Sequence, residues 1–486
     1  MVLLSNDISK ETFTKKKTSF FLYSFDTIYT LISIVLLLIC LGYSGERILD
    51  FPISYLILTM NGILSVYGMI TSIKRNASIH FVSFMFCYLF LTLTPIIQVA
   101  ANIDPVFSID FIVLITTSIS FIFIFTGVVF TQKINNDVSE VRADHQDKAE
   151  NNNYALLFCF TLSVSLFSIF LFRDGLFTSR EGLGNLLATI FEDQVVALIC
   201  LVLLKFIPIF GSTIGLRSAL RNKKVGMIIL FSVLLILALI INNPMSSPRY
   251  YLAAIAFFFI DYMTYGKKVR WLAVLVIVGI LSAPLFHVFR REHHGPRMSQ
   301  EKTLLDKTFL SMDYDAFQTA SYTVLTVRND GVVWGANIAG AMLFFAPRKL
   351  WPEKPPVTGW VIYNTMLKHR FIGTANISTP LVAEGYYAFS WLGAIAISLI
   401  YWFLITLITR ISLDRPKSPM FLFRSIFTGL VLILLRGALT VGMSAIAGFS
   451  IAAFLPWMLF YLSFNKGQKE ILEKSQKGLM KNTGSL

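Results

Sequence analysis

The sequence predicts an all-α polytopic membrane protein with about twelve transmembrane helices. Three observations carry that expectation. Of 486 residues, 55% are hydrophobic and only 14% charged, against roughly 25% charged in a soluble domain. The mean hydropathy is +0.67. Apolar runs of about 20 residues, the length that crosses a hydrocarbon core as a helix, recur along the chain. This pattern excludes an ordinary soluble enzyme, a disordered chain and a disulfide-stapled secreted module.

Taken in order, the runs fall near 20–41, 53–73, 79–100, 109–131, 154–172, 194–214, 225–243, 250–265, 271–288, 386–409, 421–438 and 440–464. The apolar stretch 335–347 is too short to cross. The first run is span-length and lacks a small-residue cleavage site, so it reads as a span and not a removable signal. An even count puts both termini on one side. Basic residues mark that side as cytoplasmic. They include Lys10, Lys15, Lys16 and Lys17 in the N-terminal tail, Lys74 and Arg75, and the connections containing Lys133, Arg217, Lys267 and Arg424. The opposite connections hold Arg47, Arg173, Arg180 and Arg249, with Arg436 near a span end. The polar stretch 132–153 reads as a solvated linker. The Lys-rich tail 465–486 either lies on anionic lipid or stays disordered.

Four parts follow: spans one to nine over 1–288, a large external loop over 289–385, the last three spans over 386–464, and a cytoplasmic tail over 465–486. Cys40, Cys87, Cys159 and Cys200 all sit in apolar runs without metal-ligand spacing, and read as small hydrophobes. The formal charge of +14 points to the lipid bilayer and to anionic lipid or phosphate as partners, and no nucleic acid is expected.

The external loop is the informative part. A loop this long escapes the positive-inside rule, yet it is rich in Arg and Lys. An unstructured spacer would be poor in aromatics, whereas this one holds Phe309, Tyr314, Phe317, Tyr322, Trp334, Phe344, Phe345, Trp351 and Trp360. It is expected to fold as short helices resting on the membrane surface.

Three clusters concentrate chemistry there. In the first, Arg290, Arg291 and Arg297 surround His293 and His294 where the ninth span emerges. Such guanidinium forks either converge on a phosphate or pyrophosphate, or snorkel from a helix end to the headgroups. The adjacent histidines point about 100° apart on a helix and no nearby Cys completes a set, so no metal is expected. The second cluster, PRKLWPEKPP at 347–356, uses prolines to stiffen an extended backbone carrying Arg348 and Lys354. Its Trp351 either anchors at headgroup level or stacks on a sugar ring. The third cluster, TPLVAEGYY at 379–387, sets Glu384 beside Tyr386 at the start of the tenth span. That carboxylate either acts as general base or orients an arginine, or it stabilises a helix N-terminus. A smaller signal is SSPRYY at 246–251, which places Arg249 at the external start of the eighth span, with Arg436 entering the same layer.

Within the spans, Lys205 is the one plainly intramembrane basic residue. It is either functional or snorkels toward the cytoplasmic face. The spans otherwise lack the buried acid and histidine chains of proton-coupled pumps.

The late external loop, the sequence APRKLWPEKPP and the sequence STPLVAEGYYAFSWLG at 378–393 resemble bacterial oligosaccharide repeat-unit polymerases of the Wzy type. The architectural similarity covers most of the chain, and the motifs about thirty residues of it. The resemblance implies a GT-C-like glycosyltransferase fold in a bacterial inner membrane, with a large periplasmic loop between spans nine and ten. It implies undecaprenyl-pyrophosphate-linked oligosaccharides as substrates, one glycan passing from its lipid pyrophosphate to the non-reducing end of another unit. A chain-length-regulating membrane protein and a flippase are the implied partners, and no cofactor is implied. Arg290, Arg291 and Arg348 would serve catalysis with Glu384 as base. Arg249, Arg297, Lys354, Tyr386, Arg436, His293, His294 and Trp351 would bind substrate. An O-antigen ligase, or a flippase or other transporter of the same lipid-linked unit, is the alternative.

Overall fold

A computed structural model describes residues 26–134, 153–173, 175–177, 189–190, 194–244, 246–264, 269–276, 309–310, 314–369, 377–413 and 419–461. The described residues contain helices and connections and no strand. The first half holds α1 (Asp26–Ser44), α2 (Pro52–Lys74), α3 (Ser78–Ala101), α4 (Asp110–Gln132), α5 (Tyr154–Phe172), α6 (Gln194–Arg221), α7 (Val225–Ile241) and α8 (Arg249–Met263). Three shorter helices follow: α9 (Ala316–Asp330), α10 (Ala336–Met342) and α11 (Thr358–Lys368). The chain closes with α12 (Leu381–Leu413), α13 (Pro419–Arg436) and α14 (Leu439–Tyr461).

Nine described helices are long and apolar enough to cross a membrane: α1 to α6 and α12 to α14. α7 and α8 lie where spans are expected but reach only 17 and 15 residues. Of the expected ninth span, only 269–276 is described, as helix. Rows of exposed side chains show what surrounds the bundle. Leu31 and Leu38 on α1, with Ile229 and Ile236 on α7, are each about 60% exposed. Such continuous apolar faces are untenable in water and are what lipid tails solvate.

Two interior cores flank α13. One is formed by α1 to α4 with α9 and α12, the other by α5 to α8 with α14. α13 contributes to both, through Val431 and Leu435 on one side and Ile426 and Leu430 on the other. Every residue of α13 from Ser425 to Leu435 is buried. It is the central helix, and α8 packs antiparallel along it. At their closest approach Gly429 meets the backbone of Ala254, where an added Cβ would lie 2.3 Å from the Ala254 carbonyl oxygen. Small residues at such crossings let helix backbones touch, which is how helices associate without a hydrophobic driving force.

Irregular turns of helix are repaired locally. α3 carries one π-helical turn at Leu89–Leu93 just before Pro95, where the missing proline N–H disrupts the ladder. Thr92 and Thr94 hydroxyls donate to the carbonyls of Cys87 and Leu89, five residues back. In α6, Pro208 cannot donate to the carbonyl four residues earlier. That carbonyl, on Leu204, lies 2.8 Å from the Ser168 hydroxyl of α5, whose one proton is shared with the Val164 carbonyl at 2.7 Å.

Four expectations need correction. The tenth span does not begin at 386: α12 breaks at Phe389 and Ser390, whose φ of +55° is left-handed. The break leaves a short segment 381–388 and a span segment 391–413. They fold onto each other where Gly385 and Gly393 meet, an added Cβ on Gly393 lying 2.0 Å from the Gly385 carbonyl oxygen. The external loop does not simply rest on a surface, because α9 is buried from Ala316 to Thr326, packed on α4, α12 and α11. Its polar sequence suits that site because Asp104, in the connection before α4, accepts from Gln318 and Tyr322 at 2.5 Å each. Arg424 and Arg217 are not solvated loop charges but lie within α13 and α6, 1% and 8% exposed. The spans also do hold buried ionisable groups. Asp261 of α8 pairs with Arg424 at 3.0 Å, and His80 of α3 meets the Thr406 hydroxyl at 3.0 Å.

Candidate functional site

The end of the bundle at which α13 stops and α14 starts gathers most of the described candidate residues. Arg436 closes α13. Its Nη2 donates to Asp315 Oδ1 at 2.8 Å, and its guanidinium lies over the Tyr250 ring, 4.3 Å from the centroid. The side chain remains 18% exposed, so the fork is held in place yet reachable. Asp315 is itself fixed, accepting from the backbone N–H of Ser378 at 3.1 Å and from its hydroxyl at 2.6 Å. The residues before α9 and before α12 are thereby tied to the end of α13.

Three residues beyond Arg436, the N–H of Leu439 opens α14 and donates to Glu384 Oε1 at 2.9 Å. Glu384 Oε2 accepts from Asn337 Nδ2 of α10 at 2.8 Å and from the Thr358 hydroxyl of α11 at 2.6 Å. Asn337 also donates to the Glu384 carbonyl at 3.0 Å. One carboxylate therefore joins the short first segment of α12 to α10, α11 and α14. It is 1% exposed, and no cation among the described residues pairs with it. Three of the roughly four lone-pair sites of this carboxylate are occupied, and its burial closes it to solvent. Tyr386 beside it is also buried, its ring edge-on to Trp391 with centroids 5.8 Å apart.

The proline-rich segment forms a separate cluster. Arg348 donates to the carbonyl of Lys354 at 2.9 Å. Lys354 Nζ in turn donates to the carbonyls of Phe344 and Ala346 at 2.7 and 3.0 Å. The two cations brace their own turn, and no carboxylate among the described residues neutralises either. In the same segment Phe345 and Leu350 are 70 and 82% exposed, large apolar side chains beside two cations. Trp351 is half-buried in this segment. Arg290, Arg291, Arg297, His293 and His294 lie outside the described residues.

Arg249 is the first residue of α8 and partly exposed, one position before Tyr250. On the other flank of that stretch, Lys205 is 4% exposed. It donates to the hydroxyls of Ser247 at 3.0 Å and Ser246 at 3.3 Å. Lys205 therefore reaches the Arg436 end of the bundle and does not snorkel the other way. Asp315, Ser378, Asn337 and Thr358 were not signalled as site residues by the sequence, because each is an ordinary polar residue until its distant partner is known. No group of three His, Cys, Asp or Glu suited to a metal occurs among the described residues.

The fold and these buried polar ties define an all-helical, polytopic membrane-embedded protein. Compared with protein-family models, curated proteins and solved structures, the chain finds no match.

Proposed function

We propose that the protein is a membrane glycosyltransferase of the Wzy type, polymerising undecaprenyl-pyrophosphate-linked repeat units at the periplasmic face of a bacterial inner membrane. The observation that carries this reading is Arg436, a guanidinium fixed by Asp315 and Tyr250 but left partly open, with Arg249 the residue before Tyr250. Departure of a lipid pyrophosphate builds negative charge on its bridging oxygen, and preorganised cations there lower the barrier without reorganising. Arg436 and Arg249 take that role on the bundle, and Arg290, Arg291 and Arg297 are the further cations the sequence offers for it. Arg348 and Lys354 meet the second lipid-linked unit beside Phe345 and Leu350. Glu384 acts as a positioning residue that holds α10, α11 and the α12 break around the site. The GT-C-like arrangement of twelve spans, with α7, α8 and the helix beginning at 269 completing the count, keeps both termini cytoplasmic.

The test is the surface-polysaccharide ladder of a deletion strain, complemented in turn by the native chain and by Arg436→Ala. Loss of the ladder with single repeat units retained, restored by the native chain and not by Arg436→Ala, is the expected result. Arg436→Lys restores only short chains, because the planar fork is lost. A strain with no repeat units attached at all would assign the protein to ligation instead. In liposomes given only external lipid-linked substrate, movement across the bilayer without chain growth would overturn the proposal.

A further inference from the structure

We infer that Lys205, Ser246 and Ser247 form an oxyanion-binding site for a phosphate group, distinct from the Arg436 cluster. The charge balance is the first argument. Lys205 is 4% exposed in the middle of α6, and its partners are two neutral hydroxyls at 3.0 and 3.3 Å. Among the described residues no carboxylate pairs with it. A charge withdrawn from water costs several kcal/mol unless an opposite charge compensates it, and intramembrane lysines persist where they serve a ligand or ion.

The second argument is the donor inventory. An ammonium group has three donors and no acceptor, and a hydroxyl that accepts from it keeps its own proton to give. Lys205, Ser246 and Ser247 are therefore three neighbouring side chains that can each offer a proton, the chemistry a phosphate oxygen accepts. The backbone is arranged to hold them. Asn242 Nδ2 bonds the Lys205 carbonyl at 2.8 Å, and the Ser246 N–H donates to Asn243 Oδ1 at 3.1 Å. The connection between α7 and α8 is thereby clamped onto α6 over the ammonium group, with Pro244 exposed at its crest.

The third argument is placement. Ser247 and Tyr250 are three residues apart, so their Cα atoms lie within about 11 Å of each other, and Tyr250 carries Arg436 on its face. The site thus sits at the Arg436 end of the bundle. It does not depend on glycan transfer.

Binding is measured as the rise in melting temperature of the full chain purified in detergent, titrated with inorganic phosphate, dioctanoyl phosphatidic acid or the phosphate-free dioctanoylglycerol. The native chain is stabilised by phosphatidic acid, and Lys205→Met weakens that affinity by roughly tenfold or more, the worth of one charge-assisted hydrogen bond. Ser247→Ala weakens it less and leaves the ligand-free melting temperature unchanged. Without ligand, Lys205→Met melts no lower than the native chain, since it removes an unpaired buried charge. An equal effect of inorganic phosphate assigns the bound group to a soluble anion, and an effect of phosphatidic acid alone assigns it to a lipid. Either outcome supports the site. Equal stabilisation by dioctanoylglycerol, or the same response in the native chain and both variants, overturns it.

Discussion

Asp261→Asn is expected to be among the most destabilising single-atom-scale changes in this protein. Asp261 and Arg424 are 0% and 1% exposed, with Nη2 and Oδ2 3.0 Å apart, and Ser425 donates to the same carboxylate oxygen at 2.7 Å. Arg424 Nε and Nη1 have no hydrogen-bond partner, so the carboxylate is its whole polar compensation besides the Phe421 face at 4.6 Å. Arg217 lies close by, over the rings of Tyr262 and Phe421. Stranding one member of a buried pair costs about 3–5 kcal/mol, or two to three and a half decades in the folded-to-unfolded ratio. Replacing both partners is far milder, because Asp261→Leu with Arg424→Met removes both desolvation costs together. The assay is unfolding of the purified protein in mixed micelles by added sodium dodecyl sulfate, run as a double-mutant cycle. A loss below about 1 kcal/mol for Asp261→Asn, the level of an ordinary surface pair, would refute the reasoning. So would a double variant no more stable than the sum of the single ones.

Three further outcomes are expected. Glu384→Gln keeps an acceptor for Leu439 but turns an amide N–H₂ toward one set of donors, costing about 1–3 kcal/mol; amide exchange should show fraying at α10 and α11 before any other element, and uniform loss of protection would count against it. Gly393→Ala cannot be accommodated at the α12 crossing, whereas Gly42→Ala meets nothing within 4 Å; folded yield in a detergent size-exclusion profile should fall for the first and hold for the second. Ser168→Ala strips the Leu204 carbonyl of its donor and should lower stability by about 1 kcal/mol, measurable by the same micelle titration; no change there would show that the Pro208 gap is repaired by other means.

The apolar runs were legible because a helix exposed to lipid on one side and core on the other is hydrophobic all round. Hence α2, α4, α5 and α14 begin and end within a residue or three of their expected limits. The α12 break was not, since AFSW contains neither proline nor glycine, and its cause lies eight residues apart in the Gly385–Gly393 contact. The burial of α9 escaped for a related reason. Gln318, Thr319, Ser321 and Thr323 read as solvated until Asp104 and Ser378 satisfy their neighbourhood. Arg424 read as a cytoplasmic loop charge because its partner is 163 residues away. At the candidate site, Glu384, Arg436 and Arg249 stood out as charges near span ends. The residues that orient them did not, because hydrogen-bond donors such as Asn337 and Thr358 leave no trace of their own in a hydropathy pattern.

The antiparallel seam between α8 and α13 has a mechanical consequence. Tyr250 faces Arg436, Ala254 faces Gly429 and Asp261 faces Arg424, so the two helices are pinned at both extremities and pressed together midway. Sliding one past the other by a single turn, about 5.4 Å, would undo a salt bridge, a cation–π stack and a backbone contact at once. The pair is a strut and not a piston. Any large rearrangement of the bundle must therefore arise around this strut, in elements such as the broken α12 or the braced turn at 343–357, while α13 keeps the two ends of the molecule at a fixed separation.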